Sequence, residues 1–387
     1  MKFPIYFDHN ATTPCLPEVL EAMTPYFTSL YGNASSSHHV YGWLAEEAVE
    51  IAREQVAHLI RAAPKEIVFT SGATESVNLA IRGVGNANLD RGKHFVTLST
   101  EHKAVLDTLA DLRQEGFEVT VLPVDGDGLV DLNQLEEAIR DDTVMVAAMF
   151  ANNETGVLQP IQEIADLTRS KGVLLLSDSV QAVGKMPLNV RELNVDLVPL
   201  SAHKFYGPKG VGALYIRKSQ PGVYLKACIT GGGQELGRRS GTLNIPGIVG
   251  LGKAAEIASR EMDRDRLRLK PLRDKLENAL LALDGCRLNG HPVHRLPHVS
   301  NISFAGVNGK DWLIRINKEL AVSSGSACSS ITDKPSHVLK AMGLENELAK
   351  STLRFGLGKS TTDEQVDFAI EFVKESYRQM TGDAASK

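Results

Sequence analysis

The sequence lacks the features that mark several large classes of proteins. No apolar run approaches the roughly 18 residues needed to span a bilayer, and the first eight residues contain no signal-peptide core. The four cysteines show no Cys-x-x-Cys spacing, which argues against a disulfide framework and a zinc site. With 42 basic and 47 acidic residues the formal net charge is -5, which gives no footprint for nucleic acid or an anionic membrane. We therefore expect a cytoplasmic protein without a metal site.

Two nucleotide-binding motifs are also missing. The segment Thr70-Ser71-Gly72-Ala73-Thr74-Glu75-Ser76 joins a predicted strand to a predicted helix, but the Gly-Lys-Ser/Thr of a P-loop is absent. No Gly-x-Gly-x-x-Gly turn follows any predicted strand, which counts against a nicotinamide enzyme.

What is present is an alternation of short apolar runs and amphipathic segments. Strands are predicted at 66–70, 94–99, 118–124, 144–150, 173–176 and 195–200, with helices at 75–82, 102–115, 132–140 and 161–170. This order predicts an α/β fold with a mostly parallel sheet flanked by helices. A long helical stretch at 248–283, with a kink or break at Pro271, leads to strands at 300–304 and 354–356. We place a large domain at 13–260 and a smaller α+β domain at 1–12 and 261–387.

Two of these strands deliver complementary groups to one edge of the sheet. The run at 173–176 precedes Asp178, and the run at 195–200 precedes Ser201, His203 and Lys204. Ligands of open α/β sheets bind at the carboxyl ends of the strands. Pyridoxal phosphate (PLP) suits this pair, because a lysine forms its Schiff base and a carboxylate keeps its ring nitrogen protonated. The alternative is that Asp178 caps a strand end and Lys204 is a solvated surface residue.

Other polar residues are predicted at the same edge. Residues 70–76 offer a helix N-terminus and the Thr74 hydroxyl to an anion, or else Thr74 or Ser71 merely caps that helix. His102 follows another strand and is either a proton carrier that stacks on a cofactor or a solvated residue at a helix start. Asn153 contributes an amide, and Gln181, one helical turn beyond Asp178 if a helix begins there, is placed to bond the phenolic oxygen of the cofactor.

Three further features lie outside the alternating region. Residues 231–242 form a glycine-rich segment that is either a phosphate-binding loop assisted by Arg239 or Thr242, or a plain loop. Arg354, in an apolar strand, either holds a substrate carboxylate or pairs with a protein carboxylate. Cys328 lies in the Ser/Gly-rich segment 323–330, which suits a mobile reactive thiol. The other cysteines, Cys15, Cys228 and Cys286, are interpreted as packing residues.

Taken together, these motifs resemble the cysteine desulfurases, which are fold-type I PLP enzymes of the NifS and IscS kind. The resemblance spans nearly the whole chain and rests on the following motifs: Asp8-His9-Asn10-Ala11-Thr12-Thr13-Pro14, Ser71-Gly72-Ala73-Thr74-Glu75-Ser76, Glu101-His102, Asn152-Asn153-Glu154-Thr155-Gly156, Asp178 with Gln181, Ser201-x-His203-Lys204, Arg239-Ser240-Gly241-Thr242 and Ser323-Ser324-Gly325-Ser326-Ala327-Cys328. It implies a homodimer in which Lys204 carries the cofactor and Asp178 bonds its pyridine nitrogen.

The resemblance also implies roles for the remaining residues. The phosphate would be bound by Ala73, Thr74, Ser201 and His203, with Thr242 reaching it from the partner subunit. His102 would stack on the ring and move protons, and Gln181 and Asn153 would lie near the phenolic oxygen or the substrate. Arg354 would hold the carboxylate of L-cysteine.

The expected reaction converts L-cysteine to L-alanine and leaves the sulfur on Cys328 as a persulfide. The acceptor of that sulfur is expected to be an iron-sulfur scaffold or another sulfur carrier. An aminotransferase or a selenocysteine lyase of the same fold, a cysteine hydrolase using Cys328 with His102 or His337, and a scaffold with a relict site are the competing interpretations.

Overall fold

The structure is a computed structural model that describes residues 2–219, 222–324 and 334–385. Its strands are β1 (Ile5–Tyr6), β2 (Ile67–Thr70), β3 (His94–Leu98), β4 (Glu118–Leu122), β5 (Thr143–Ala147), β6 (Leu174–Leu176), β7 (Leu197–Ser201), β8 (Gly212–Ile216), β9 (Cys286–Leu288), β10 (Val299–Phe304), β11 (Leu320–Ala321) and β12 (Thr352–Gly356). Its α-helices are α1 (Pro17–Met23), α2 (Pro25–Thr28), α3 (Val40–Leu59), α4 (Ala73–Ala87), α5 (Lys103–Gln114), α6 (Leu132–Ala138), α7 (Ile161–Ser170), α8 (Ile245–Leu281), α9 (Gly309–Ile316), α10 (His337–Ala341), α11 (Asn346–Lys350) and α12 (Asp363–Ala385).

The central sheet has the strand order β2-β8-β7-β6-β5-β3-β4. Its pairs are parallel except those of β8, which runs antiparallel to both β2 and β7. Every residue of β3, β5 and β7 is buried, because helices cover both faces of a parallel sheet. The mostly parallel sheet flanked by helices is therefore confirmed, whereas β8 was not among the predicted strands.

Successive residues of a strand point to opposite faces, and this alternation builds two cores. Val96 and Leu98 of β3 join a cluster with the inner sides of α3, α7 and the first half of α8. Phe95, directly before Val96, joins a second cluster on the other face with α4 and α5. The sheet is thus the middle layer of three.

A third core lies around the antiparallel sheet of β12, β10 and β9. It contains the second half of α8 and also Ile5 and Phe7 from the start of the chain, where β1 pairs with β11. The helix α8 runs through Pro271 without interruption, so the predicted break there is wrong. Pro271 has no N–H to donate to the carbonyl of Leu267. Leu267 is a highly exposed residue, whereas Leu269 and Leu272 pack into the third core on the other side of the helix. The predicted domain boundary near residue 260 stays a prediction.

Within the described ranges, no helix is both long enough and apolar enough to cross a membrane.

Candidate active site at the carboxyl ends of β6 and β7

Asp178 and Lys204 arrive at the same edge of the sheet from neighbouring parallel strands. Asp178 follows β6 by two residues, and β7 leads into a 3-10 helix, Ala202–Lys204. The Asp178 carboxylate is buried and its Oδ1 accepts a hydrogen bond from the Val180 N–H at 3.1 Å. Burial raises the pKa of Asp178, while the nearby His102 and Lys204 lower it. Lys204 is partly buried with two protein partners, so the alternative of a solvated surface lysine is wrong.

The N-terminal segment crosses this site and supplies its hydrogen-bond acceptors. The Lys204 Nζ donates to the carbonyl oxygens of Asn10 and Ala11, both at 2.8 Å. The Thr12 hydroxyl contacts Nδ1 of His203 at 3.1 Å, and the N–H and hydroxyl of Thr13 both donate to the His203 carbonyl. Backbone carbonyls leave no trace in residue type, so sequence reasoning did not find this contribution.

Gln181 lies directly beside the lysine. Its Nε2 donates to the Asn10 carbonyl at 2.9 Å, and its Oε1 accepts from the Nζ of Lys185 at 3.1 Å. The chain around Gln181 forms consecutive turns rather than a helix, so the predicted helical turn after Asp178 is wrong in form. The side chain nonetheless points back to the same edge, because those turns reverse the chain above β6.

The start of α4 lies beside the end of β7 and is a candidate opening for an anion. The N-cap of α4 is Gly72 and no side chain caps the helix, so the alternative that Ser71 or Thr74 is a cap is wrong. A Cβ atom on Gly72 would lie 3.8 Å from the Ser201 hydroxyl oxygen. Gly212 of β8 allows the backbone of Gly72 to lie close to the sheet, because a Cβ atom on Gly212 would lie 2.7 Å from the Cα of Gly72. Thr74 is exposed at the same opening.

The basic side chains nearest that opening are either neutral or already paired. Burial and the neighbouring Lys204 lower the pKa of His203 to about 4, so its imidazole is neutral at pH 7. Arg239 is committed elsewhere, since its Nε bonds Glu75 of α4 at 2.7 Å. The glycine-rich segment is therefore tied to the helix that begins at the opening.

His102 lies near Asp178, and Asn153 contacts Asn10 and Arg354. His102 is the N-cap of α5 and its Nδ1 accepts from the Ala104 N–H at 3.1 Å, which leaves the proton of a neutral ring on Nε2. It therefore starts a helix, as one alternative had it, but lies close enough to Asp178 to affect its pKa. The backbone carbonyl of Asn153 accepts hydrogen bonds from Asn10 and Arg354.

Arg354 is almost completely buried, with 1% of its surface exposed. Its Nη2 pairs with Asp8 at 2.6 Å and donates to the Ser323 hydroxyl at 3.0 Å, and its Nη1 donates to the Asn153 carbonyl at 3.0 Å. The alternative of a pairing with a protein carboxylate is therefore realised. Nε of Arg354 is buried and has no partner among the described residues, so the guanidinium retains a donor there.

Two buried glutamates near the site were not predicted. Glu101 accepts from the Met149 N–H at 2.5 Å, and burial together with the charge of Asp178 raises its pKa well above the usual range. Glu154 accepts from the Ser336 hydroxyl at 2.5 Å, and burial raises its pKa to about 7. A glutamate at the end of an apolar strand run is the signal that sequence analysis could have used.

The described cysteines and Thr242 differ in their exposure to solvent. Cys328 lies outside the described residues. Cys15 and Cys228 are exposed, so their interpretation as packing residues is wrong, whereas Cys286 packs at the edge of the third core. Thr242 is exposed on the glycine-rich segment.

Comparisons with known proteins agree with this geometry. The family model described as Aminotransferase class-V matches residues 5–368. The chain is 54% identical over 381 residues to the cysteine desulfurase IscS of Anaeromyxobacter dehalogenans, covering 98% of this chain and 94% of the relative. It is 50% identical over 378 residues to the cysteine desulfurase IscS of Escherichia coli O139:H28, covering 97% and 93%.

Solved structures give the same result. A structure titled NifS-like protein superposes with a TM-score of 0.89 at 39% identity, covering 96% of this chain and 99% of its own. SspA in complex with cysteine gives a TM-score of 0.81 at 37% identity, covering 91% and 98%.

The layered fold is thus that of the NifS-like structures. The chain belongs to the class-V aminotransferase family, within which its relatives are cysteine desulfurases. The predicted family, fold class and enzyme class are confirmed.

Proposed function

We propose that this chain uses PLP to convert L-cysteine to L-alanine and transfers the sulfur to Cys328. The observation that carries the proposal is the convergence of the Lys204 amine, the buried Asp178 carboxylate and the Gln181 amide at the ends of β6 and β7. An amine, a carboxylate and an amide match the three polar features of one pyridine cofactor. The desulfurase relatives select this chemistry over that of other enzymes with the same fold.

The residues present fit PLP. Lys204 would hold the aldehyde carbon, Asp178 the ring nitrogen and Gln181 the phenolic oxygen. Ser201, His203, Ala73 and Thr74 would hold the phosphate at the uncapped start of α4, where backbone N–H groups and the helix dipole favour an anion. When bound, the cofactor supplies an electron sink that makes the α-proton of the amino acid acidic.

The protein would then bind, orient and move protons. The Arg354 guanidinium would hold the substrate carboxylate beside Asp8 and the Asn153 carbonyl. Lys204, once released, has the two carbonyls of Asn10 and Ala11 to hold its amine while it takes the α-proton. His102 Nε2–H and the side chain of Asn153 would contact the ring or the substrate.

The sulfur transfer is balanced without an added oxidant or reductant. The Cys328 thiolate attacks the substrate sulfur, an S–S bond forms, and the C–S bond breaks with its electron pair going to carbon. Protonation of that carbon gives L-alanine, and the enzyme keeps a persulfide. One cysteine and one thiol thus give one alanine and one persulfide.

A second copy of this chain would complete the site. The α2–α3 region exposes large aromatic side chains, namely Phe27, Tyr31, Tyr41 and Trp43. Glu235 pairs with Arg53 of α3 at 2.8 Å, which fastens the glycine-rich segment carrying Thr242 to that helix. An apolar surface of this kind is typical of homodimer contacts, and Thr242 would reach the partner's phosphate. The persulfide would pass to an iron-sulfur scaffold or another sulfur carrier in the cytoplasm.

Product analysis tests this function. The protein, loaded with PLP, is given L-cysteine and a thiol reductant while its visible spectrum is recorded. We expect a yellow protein that releases alanine and sulfide in equal amounts, and a Lys204→Ala variant that loses both colour and turnover. Lys209→Met, an exposed lysine, serves as the control.

Other products would contradict the proposal. Turnover of a 2-oxo acid without sulfide would identify an aminotransferase, and a strong preference for selenocysteine a selenocysteine lyase. A colourless but active protein would identify a cysteine hydrolase.

A further inference from the structure

Lys185 lies next to the proposed cofactor site and belongs to a chain of hydrogen bonds that reaches Lys204. None of the roles proposed above involves Lys185. Its Nζ donates to Oε1 of Gln181 at 3.1 Å, and Nε2 of Gln181 donates to the Asn10 carbonyl at 2.9 Å. The same carbonyl accepts from Nζ of Lys204 at 2.8 Å. Lys185 is therefore three hydrogen bonds away from the lysine that would carry the cofactor.

The direction of these bonds fixes the orientation of the Gln181 amide. The Nζ of Lys185 donates and so faces the oxygen of the amide, and a backbone carbonyl can only accept, so it must face the nitrogen. The NH2 group has two hydrogens, and the Asn10 carbonyl takes one of them. The second hydrogen remains for a ligand acceptor. With Lys185 removed, the Asn10 carbonyl alone holds this orientation, so the amide is less firmly fixed toward the ligand.

The turn between Gln181 and Lys185 holds both side chains on one side. Gly184 adopts φ +73°, and a Cβ atom there would lie 2.7 Å from Cβ of Phe205, so this tight turn requires glycine. The backbone N–H of Lys185 donates to the Ala182 carbonyl. The Lys185 side chain is therefore directed by the backbone as well as by its contact with Gln181.

A cavity of about 30 Å³ on the far side of Lys185 offers acceptors for its remaining hydrogens. The cavity is lined by Lys185, His9 and His298 among others, and Nε2 of each histidine is buried with no partner in the described part of the chain. Nδ1 of His9 contacts the Gly356 carbonyl at 3.0 Å and so carries the proton, which leaves a lone pair on Nε2. A space of this volume is large enough for one water.

The charges that face Lys185 are mostly positive. Burial, Lys204 and Arg354 lower the pKa of Lys185 to about 7. Burial lowers the pKa of His9 to about 4 and that of His298 well below its usual range, so both rings are neutral. Asp265 and Lys359 also line the cavity but pair with each other at 2.7 Å.

We propose that Lys185 is a positioning residue that holds the Gln181 amide as a hydrogen-bond donor to the phenolic oxygen of bound PLP. The inference rests on the proposed function. A donor at this oxygen stabilises its negative charge and makes it a weaker partner for the neighbouring imine proton. The imine of the bound cofactor should therefore lose its proton at a lower pH when Lys185 is present.

The pH at which the visible band of the bound cofactor shifts measures this effect without turnover. Lys185→Met and Lys185→Leu, two apolar side chains of different shape, should raise the midpoint by about one pH unit, the effect expected for one hydrogen bond to a charged group. Lys185→Arg keeps a donor and should stay close to the wild type. Lys209→Met, which removes an exposed positive charge, should leave the midpoint unchanged.

A double-mutant cycle separates positioning from a simple charge effect. Gln181→Leu alone should raise the midpoint, and Lys185→Met should add nothing in the Gln181→Leu background, because Lys185 then has no amide to orient. Circular dichroism of each variant checks its fold. Additive shifts in the double variant, or an unchanged midpoint in both Lys185→Met and Lys185→Leu, would overturn the inference. A wild-type protein that binds no PLP would instead overturn the proposed function.

Discussion

The buried Glu154 should make the free energy of unfolding depend on pH. Its carboxyl accepts from the Ser336 hydroxyl at 2.5 Å, and burial raises its pKa from 4.5 to about 7 even though Ser336, Arg354 and His102 oppose the shift. Between these two pH values the unfolded chain has lost the proton that the folded protein still holds. The folded state therefore binds more protons, and stability falls as the pH rises through this window.

The size of the effect follows from the shift. Each pKa unit corresponds to about 1.4 kcal/mol, so the full cost of ionising Glu154 in the folded protein is about 3 kcal/mol at high pH. Roughly 2 kcal/mol of that cost develops between about pH 5.5 and pH 8. A Glu154→Gln variant keeps the shape and an acceptor for Ser336 but cannot ionise. Its stability relative to wild type should therefore rise by this amount across the window.

Urea unfolding at several pH values, with PLP absent, is the suitable assay. Glu163→Gln changes an exposed glutamate of α7 and serves as the matched control, whose stability relative to wild type should not vary in this way. If Glu154→Gln and Glu163→Gln show the same pH dependence, Glu154 ionises normally in the folded protein and the argument from burial is refuted.

Three further predictions concern the site and the dimer. Arg354→Lys keeps the charge but loses the planar guanidinium, so KM for L-cysteine should rise at least about tenfold, with a smaller change in kcat. An unchanged KM would exclude Arg354 from carboxylate binding. Burial and the charge of Asp178 raise the pKa of Glu101 well above its usual range, so Glu101→Gln should retain the visible cofactor band, whereas Asp178→Asn should alter the band and abolish turnover. A band altered more by Glu101→Gln than by Asp178→Asn would contradict this assignment. Trp43→Asp should shift a dimer to monomer in analytical ultracentrifugation, while Val293→Asp, at another exposed apolar position, should not; a Trp43→Asp variant that stays dimeric would place the interface elsewhere.

The strands that build the site could be predicted because each is a short, continuously apolar run. The runs that became β5, β6 and β7 are buried on both faces, and their ends deliver Asp178 and Lys204 to one edge as expected. The strand β8 was not predicted. It follows Lys204 closely, and this part of the sequence was interpreted as belonging to the site. Pro271 indicated a break that burial of Leu269 and Leu272 on the same helix overrides.

The contacts that the sequence could not predict are those made by backbone groups or by residues distant along the chain. Nothing in Asn10 or Ala11 shows that their carbonyls accept from Lys204. The pairing of Arg354 with Asp8 joins residues 346 positions apart. The link between Lys185 and Gln181 spans one turn, but its meaning depends on the carbonyl of Asn10, which only the fold brings there.

The most direct test of the sulfur-transfer account is the fate of the sulfur itself. The PLP-loaded protein is mixed with L-cysteine without a reductant, and alanine and the mass of each cysteine peptide are measured for wild type, Cys328→Ala and the control Cys228→Ala. The account predicts one added sulfur on the Cys328 peptide in wild type and Cys228→Ala, with an equal amount of alanine, and neither product in Cys328→Ala. Alanine formed by Cys328→Ala at the wild-type rate would contradict it.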